Sequence, residues 1–135
     1  MKVALVSLNQ SWEDKEANRL KVRNCFQTIA FRNMDLVIFP EMTLTGFTMN
    51  VKEHAEEAEN SATIRFFTDC ACQYGVYIGF GMILKAGIKA ANHFIIVSPE
   101  GEMCADYIKI HPFSYAGEDR FYEKGKHLTS LEIQG

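Results

Sequence analysis

The chain has 135 residues, 47% of them apolar, and a net charge of −3. That is the length of one domain, with too many core formers for disorder. The slight acidic excess and the lack of a basic block argue against a nucleic-acid partner, and no apolar run nears the ~20 residues that cross a bilayer.

Residues 3–8 read as a first strand and not as an export signal, since no small-residue cleavage site follows them. Ser11 and Asp14 offer a helix-start signature. Leu20, Val22, Cys25, Phe26, Ile29 and Ala30 then give a helix one apolar stripe, ending near Arg32 and Asn33. The next stretch, Asp35-Leu36-Val37-Ile38-Phe39-Pro40-Glu41, is a short apolar run closed by a proline. It reads as a strand covered on both faces, with pairing expected to stop at Pro40, which has no N–H to donate. Glu41 is thus the first side chain past the end of a buried strand, where open α/β sheets place their chemistry.

Residues 51–60 are acidic and read as a solvated loop or short surface helix. Ser61 is a candidate cap for a second helix carrying Ile64, Phe67, Ala71 and Tyr74 on one side, with Gly75 as its stop. Cys70 and Cys72 fall inside it, and residues two apart on a helix point ~200° away from each other, which rules out chelation from one face. Cys25, Cys70, Cys72 and Cys104 show neither disulfide-framework nor metal spacing. Reduced thiols, and hence a cytoplasmic protein, are expected.

Residues 76–84, 91–98 and 103–110 read as three strands joined by turns at 85–88 and 99–102. The order β-α-β-α-β-β-β predicts an α/β fold with a mixed sheet and both helices on one face. In the third of these strands Met103, Ala105, Tyr107 and Lys109 share a face, opposite Cys104, Asp106, Ile108 and Ile110. Lys109 therefore ends its strand as Glu41 ends its own. An irregular polar and aromatic loop follows, and residues 128–133 read as a final strand.

Taken alone, a strand-end carboxylate and a strand-end lysine more often form a structural ion pair than a catalytic one. Sharing a cavity, they could act as general base and oxyanion stabiliser. The wider motif set is more specific. Residues 35–41 with Thr45-Gly46-Phe47 resemble the glutamate motif of the nitrilase superfamily, the carbon–nitrogen hydrolases. Asn92 through Glu102 is similar to that family's middle hairpin. Tyr107-Ile108-Lys109-Ile110-His111, followed by Gly117-Glu118-Asp119 and Tyr122-Glu123-Lys124-Gly125, resembles its lysine motif and the loop after it.

The resemblance implies a nitrilase-like αββα sandwich of which residues 1–135 form a single, incomplete domain, the C-terminal part being missing. It implies a hydrolase acting on a linear amide or nitrile by Cys-Glu-Lys chemistry, without a cofactor, and a homo-oligomer. Glu41 matches the general base and Lys109 the stabiliser of the tetrahedral intermediate. Glu118 matches a second glutamate that positions substrate and the other catalytic groups; a loop carboxylate paired with Arg120 or Lys124 is the competing reading. His111 matches a structural motif histidine, and Pro112 stands where many members have leucine. The family's nucleophilic cysteine lies beyond the lysine motif, and none of the four cysteines fits that position. The chain alone, with a bare sheet face and open strand edges, is expected to associate. Two other readings compete: an inactive α/β module serving in binding or assembly, and a thiol or metal protein using Cys70, Cys72 and His54.

Overall fold

The strand that leads to Glu41 lies second in a six-stranded sheet. The computed structural model describes residues 1–28 and 33–133. Its sheet runs β1 (Val3–Leu5), β2 (Leu36–Ile38), β3 (Tyr77–Ala86), β4 (Lys89–Val97) and β5 (Met103–Ile108), with β6 (Tyr122–Glu123) pairing β4. The pairs β1–β2 and β2–β3 are parallel, and β3–β4 and β4–β5 antiparallel, so β2, β3 and β5 all run the same way. This is the expected mixed sheet.

Helices α1 (Lys15–Gln27) and α3 (Ala62–Tyr74) both pack on one face, as expected. Val22 and Phe26 from α1 meet Phe67, Cys70 and Ala71 from α3 over Ile78, Phe80, Ile95 and Val97 of the sheet. Period-2 alternation sends the even residues of β3 into this core. Phe67 stacks on Phe80 with ring centroids 4.1 Å apart, and Phe39 joins both Phe26 and Phe67 at 5.6 Å.

The caps follow from residue chemistry. The Ser61 hydroxyl accepts from Ile64 N, and Gly75 closes α3 in the left-handed region. In α1 the cap is Asp14, whose carboxylate accepts from Ala17 N, and not Ser11. The helix ends at Gln27, short of the expected stop; Ile29, Ala30 and Arg32 lie outside the described residues. Leu20 does not join the apolar stripe and is exposed. The stripe runs Asn18, Val22, Phe26 at spacing four, and Leu20 lies two residues from Val22, on the other side of the helix.

Residues 51–60 hold a short helix, α2 (Val51–His54), but Glu56 is not solvated as expected. Its side chain is 15% exposed and takes Lys15 Nζ at 2.6 Å, the Ser61 hydroxyl at 2.6 Å, and the Thr63 amide and hydroxyl. Burial alone would raise its pKa, but Lys15, Ser61 and Thr63 outweigh that and hold it at about 2. The folded value lies below the ordinary 4.5, so the contribution to stability is present above that pH and is lost as pH falls toward 2. Denaturation of Glu56→Gln against the parent chain is expected to show a deficit of about 2–3 kcal/mol at pH 7 that narrows steadily below pH ~4.

The expected strand over residues 128–133 is not formed. That segment runs beside β5 instead, touching it through the Thr129 hydroxyl on the Asp106 carbonyl. The face turned away from the helices is built of cross-strand rows. Leu5, Ile38, Gly79, Ile96 and Ala105 make one, and Gly81, Phe94 and Tyr107 the next. Leu5 is exposed and Phe94 and Ile96 are half-buried, so among the described residues no layer covers this face.

Candidate active site

Backbone approach sets the position of Glu41. After β2, Phe39 N still donates to Gly79 O, and the carbonyl of Pro40 accepts from Gly81 N at 3.3 Å. Pairing through N–H donors stops at Pro40, as expected, while its carbonyl keeps the chain on the sheet. The chain then turns back through Met42, which has a φ of 45°, and Thr43 N donates to Gly81 O. A Cβ on Gly81 would lie 2.7 Å from Glu41 Cα and 2.9 Å from its carbonyl carbon, and nearer still to Met42 N. Only glycine lets the two backbones meet this closely.

Two side chains absent from the sequence-based site hold the turn from the other side. The Gln10 amide donates toward the carbonyls of Glu41, Met42 and Thr43 at 3.3, 2.8 and 3.0 Å. Asn18, fully buried on α1, donates to Leu44 O and to Ser11 O.

Lys109 arrives from the far side of β4. Its N–H donates to Asn92 O at 2.9 Å, extending the β5 ladder by one residue. The ammonium reaches Glu41 Oε1 at 2.8 Å and Glu118 Oε2 at 2.9 Å. All three sequence-derived residues thus converge on one point, Glu41 and Lys109 coming from strands that run in the same direction. Glu118 opens α4 (Glu118–Phe121) and is fully buried. Its ion-pair partner is Lys109, so the alternative pairing with Arg120 or Lys124 does not occur.

Asn92 completes the cluster. Its Nδ2 donates to Glu41 Oε1 at 2.5 Å and to Glu118 Oε1 at 3.0 Å. Sequence reading placed Asn92 only in a hairpin. The available signal was a polar residue interrupting an apolar strand, but its partners follow from register alone.

The electrostatics are asymmetric. Burial pushes the Glu118 carboxyl up, but the Phe113 N–H, the Asn92 amide and Lys109 outweigh this and hold it below the usual carboxylate range. Burial works against the Lys109 ammonium, yet hydrogen bonds and charge from Glu41 and Glu118 raise its pKa overall. Glu118 is saturated by three donors, whereas Oε2 of Glu41 makes no hydrogen bond among the described residues. The Glu41 side chain is also 46% exposed. One carboxylate is a fixed counter-ion and the other has an oxygen free to take a proton.

Two hollows meet at this pair. One, of about 400 Å³, is lined by Glu41, Gly81, Asn92, Phe94, Tyr107 and Lys109 on the bare sheet face. The other, of about 430 Å³, lies among Glu41, Phe47, Lys109, His111, Pro112 and Phe113. The Phe47 ring stands 5.4 Å from Lys109 Nζ, within cation–π range. No cysteine lines either hollow.

The sequence and the fold have counterparts among known proteins. The sequence model of the carbon-nitrogen hydrolase family matches residues 2–130. This chain belongs to that family. The chain is 30% identical over 135 residues to an omega-amidase of Yersinia enterocolitica, covering all of this chain and 51% of the relative. It is 30% identical over 129 residues to a nitrilase of Pyrococcus abyssi, covering 93% of this chain and 48% of that one. A CN-hydrolase superfamily protein of known structure from Xanthomonas campestris superposes with a TM-score of 0.88 at 26% identity, over 98% of this chain and 49% of the other. The chain therefore spans about half the length of these relatives.

The thiol and metal reading finds no support in the geometry. Cys70 is buried and Cys72 exposed, on opposite sides of α3, and burial pushes the Cys70 thiol up to about 11. Among the described residues no group of three His, Cys, Asp or Glu side chains could hold a metal ion, and no helix is long and apolar enough to cross a membrane.

Proposed function

We propose that this chain supplies the glutamate and lysine of an amidase-type hydrolase acting on a linear amide or nitrile, with a nucleophilic cysteine contributed from outside residues 1–135. The observation that carries this is the shared ammonium, Lys109 lying within 2.9 Å of both carboxylates. An ammonium fixed between two carboxylates holds a cation where a carbonyl oxygen would become negative. It also holds Oε1 of Glu41 in place while Oε2 faces outward to act as base.

In this reading Glu41 Oε2 takes the proton of an attacking thiol. The thiolate adds to the substrate carbon, and Lys109 stabilises the oxyanion through the N–H not committed to Glu41 or Glu118. Collapse expels the amine, which leaves with the proton held by Glu41, and the acyl thioester remains. A water molecule deprotonated by Glu41 then releases the acid and the thiol. Glu118 stays ionised throughout and keeps Lys109 in place. The bare face around Phe94 and Tyr107, beside the hollow with no cysteine, is where the nucleophile-bearing part would pack, and until it does the chain is expected to self-associate.

The test is Glu41→Gln in the enzyme containing both parts. It is expected to lower amide turnover by at least ~10³-fold while leaving the melting temperature within a few degrees. Retained turnover would remove Glu41 from the mechanism, and a parent enzyme without amide or nitrile turnover would favour the inactive-module reading.

A further inference from the structure

We propose that Asn92 is the positioning residue of this site, tying the Glu41 and Glu118 carboxylates to each other and reserving Oε2 of Glu41 for the proton. The inference rests on the reading of Glu41 as the general base. Asn92 is 4% exposed and sits mid-strand in β4, paired with Ile83 of β3, and its carbonyl accepts from Lys109 N. Side chain and backbone of one residue thus engage both carboxylates and the main chain of Lys109.

A side-chain amide has two N–H bonds, and here both go to carboxylates, one to Oε1 of Glu41 and one to Oε1 of Glu118. Lys109 repeats the pattern from the other side, reaching the same Oε1 of Glu41 and Oε2 of Glu118. Oε1 of Glu41 therefore carries two donors and Oε2 none among the described residues. A proton arriving at Glu41 goes to the unoccupied oxygen without breaking either bond. Lys109 alone could not fix the carboxyl plane, because a single contact leaves it free to rotate; the second donor, on a rigid strand, removes that freedom. The titratable groups facing the pair are Glu118 and Lys109, with the Tyr122 hydroxyl, itself raised by burial, behind them.

The test uses Asn92→Leu, which removes the donors at similar volume, and Asn92→Asp and Asn92→Ser in case the apolar variant fails to fold. Two readouts separate this inference from the hydrolase reading. The first needs no turnover: ¹³C NMR titration of the Glu118 carboxyl in the purified chain. Its midpoint is expected to rise by about one pH unit in the leucine and serine variants and further in the aspartate variant. An unchanged midpoint in the folded variants overturns the proposal. The second is the kcat and KM split in the amide-hydrolysing enzyme, where kcat is expected to fall ~100-fold with KM within about threefold. A loss confined to KM also overturns it. Absence of turnover in the parent enzyme refutes the hydrolase reading instead, and the titration then decides on its own whether Asn92 ties the carboxylates.

Discussion

Gly81→Ala is expected to cost about 3 kcal/mol of stability and to lower turnover more than any other substitution outside the charged cluster. A methyl group there would sit 2.7 Å from Glu41 Cα, against backbone and not against a side chain that could rotate away. Relief requires lifting the 40–43 turn off β3, which breaks the bonds from Gly81 N to Pro40 O and from Thr43 N to Gly81 O. The same movement carries Glu41 from Lys109, and displacement by ~1 Å can cost ~10² in rate. Thermal denaturation should show a fall of roughly 10 °C. A melting point within 2 °C or so of the parent would mean that the close approach is not needed.

Lys109→Met should be costly in a different, pH-dependent way. Glu118 is fully exposed to the loss, being 0% solvent-accessible and dependent on Lys109 as its only ion-pair partner among the described residues. Removing one partner of a buried pair typically costs 3–5 kcal/mol, discounted here to about 2–3 because Lys109 is itself 27% exposed. The sign is testable. A buried carboxylate stripped of its cation favours the protonated form, so its folded pKa rises relative to that in the parent chain. The deficit should then be greatest at neutral pH and should shrink as pH falls below ~4. The double variant Lys109→Met/Glu118→Gln should recover part of the loss, as denaturant titrations at pH 4 and pH 7 would reveal. A deficit independent of pH would separate Glu118 from Lys109.

The positions of Glu41 and Lys109 were legible because both depend on short-range rules. An apolar run closed by proline marks a strand end, and period-2 alternation assigns Lys109 its face. Helix α3 was legible from Ser61 and Gly75 for the same reason. What depends on register was not. Asn92 meets Glu41 only because β4 pairs β3 on one side and β5 on the other, and Glu118 reaches Lys109 only because the loop from 110 to 117 folds back. The expected stripe on α1 erred by admitting Leu20 and Val22 together, which no single helix face can hold. It missed Asn18, since a polar residue gives no hydrophobic signal although it is fully buried and braces the Glu41 turn. The expected strand at 128–133 has apolar residues at Leu128, Leu131 and Ile133 but no strict alternation and no ladder partner among the described residues.

The central claim is that Glu41 and Lys109 act together in acyl transfer, and the acyl-enzyme itself tests it most directly. Intact-mass spectrometry of an enzyme that contains these residues together with the proposed nucleophilic cysteine, quenched during turnover of a linear amide, should show an acyl adduct on that cysteine that disappears with Glu41→Gln and with Lys109→Met. An adduct that forms at the same rate in both variants would contradict the account.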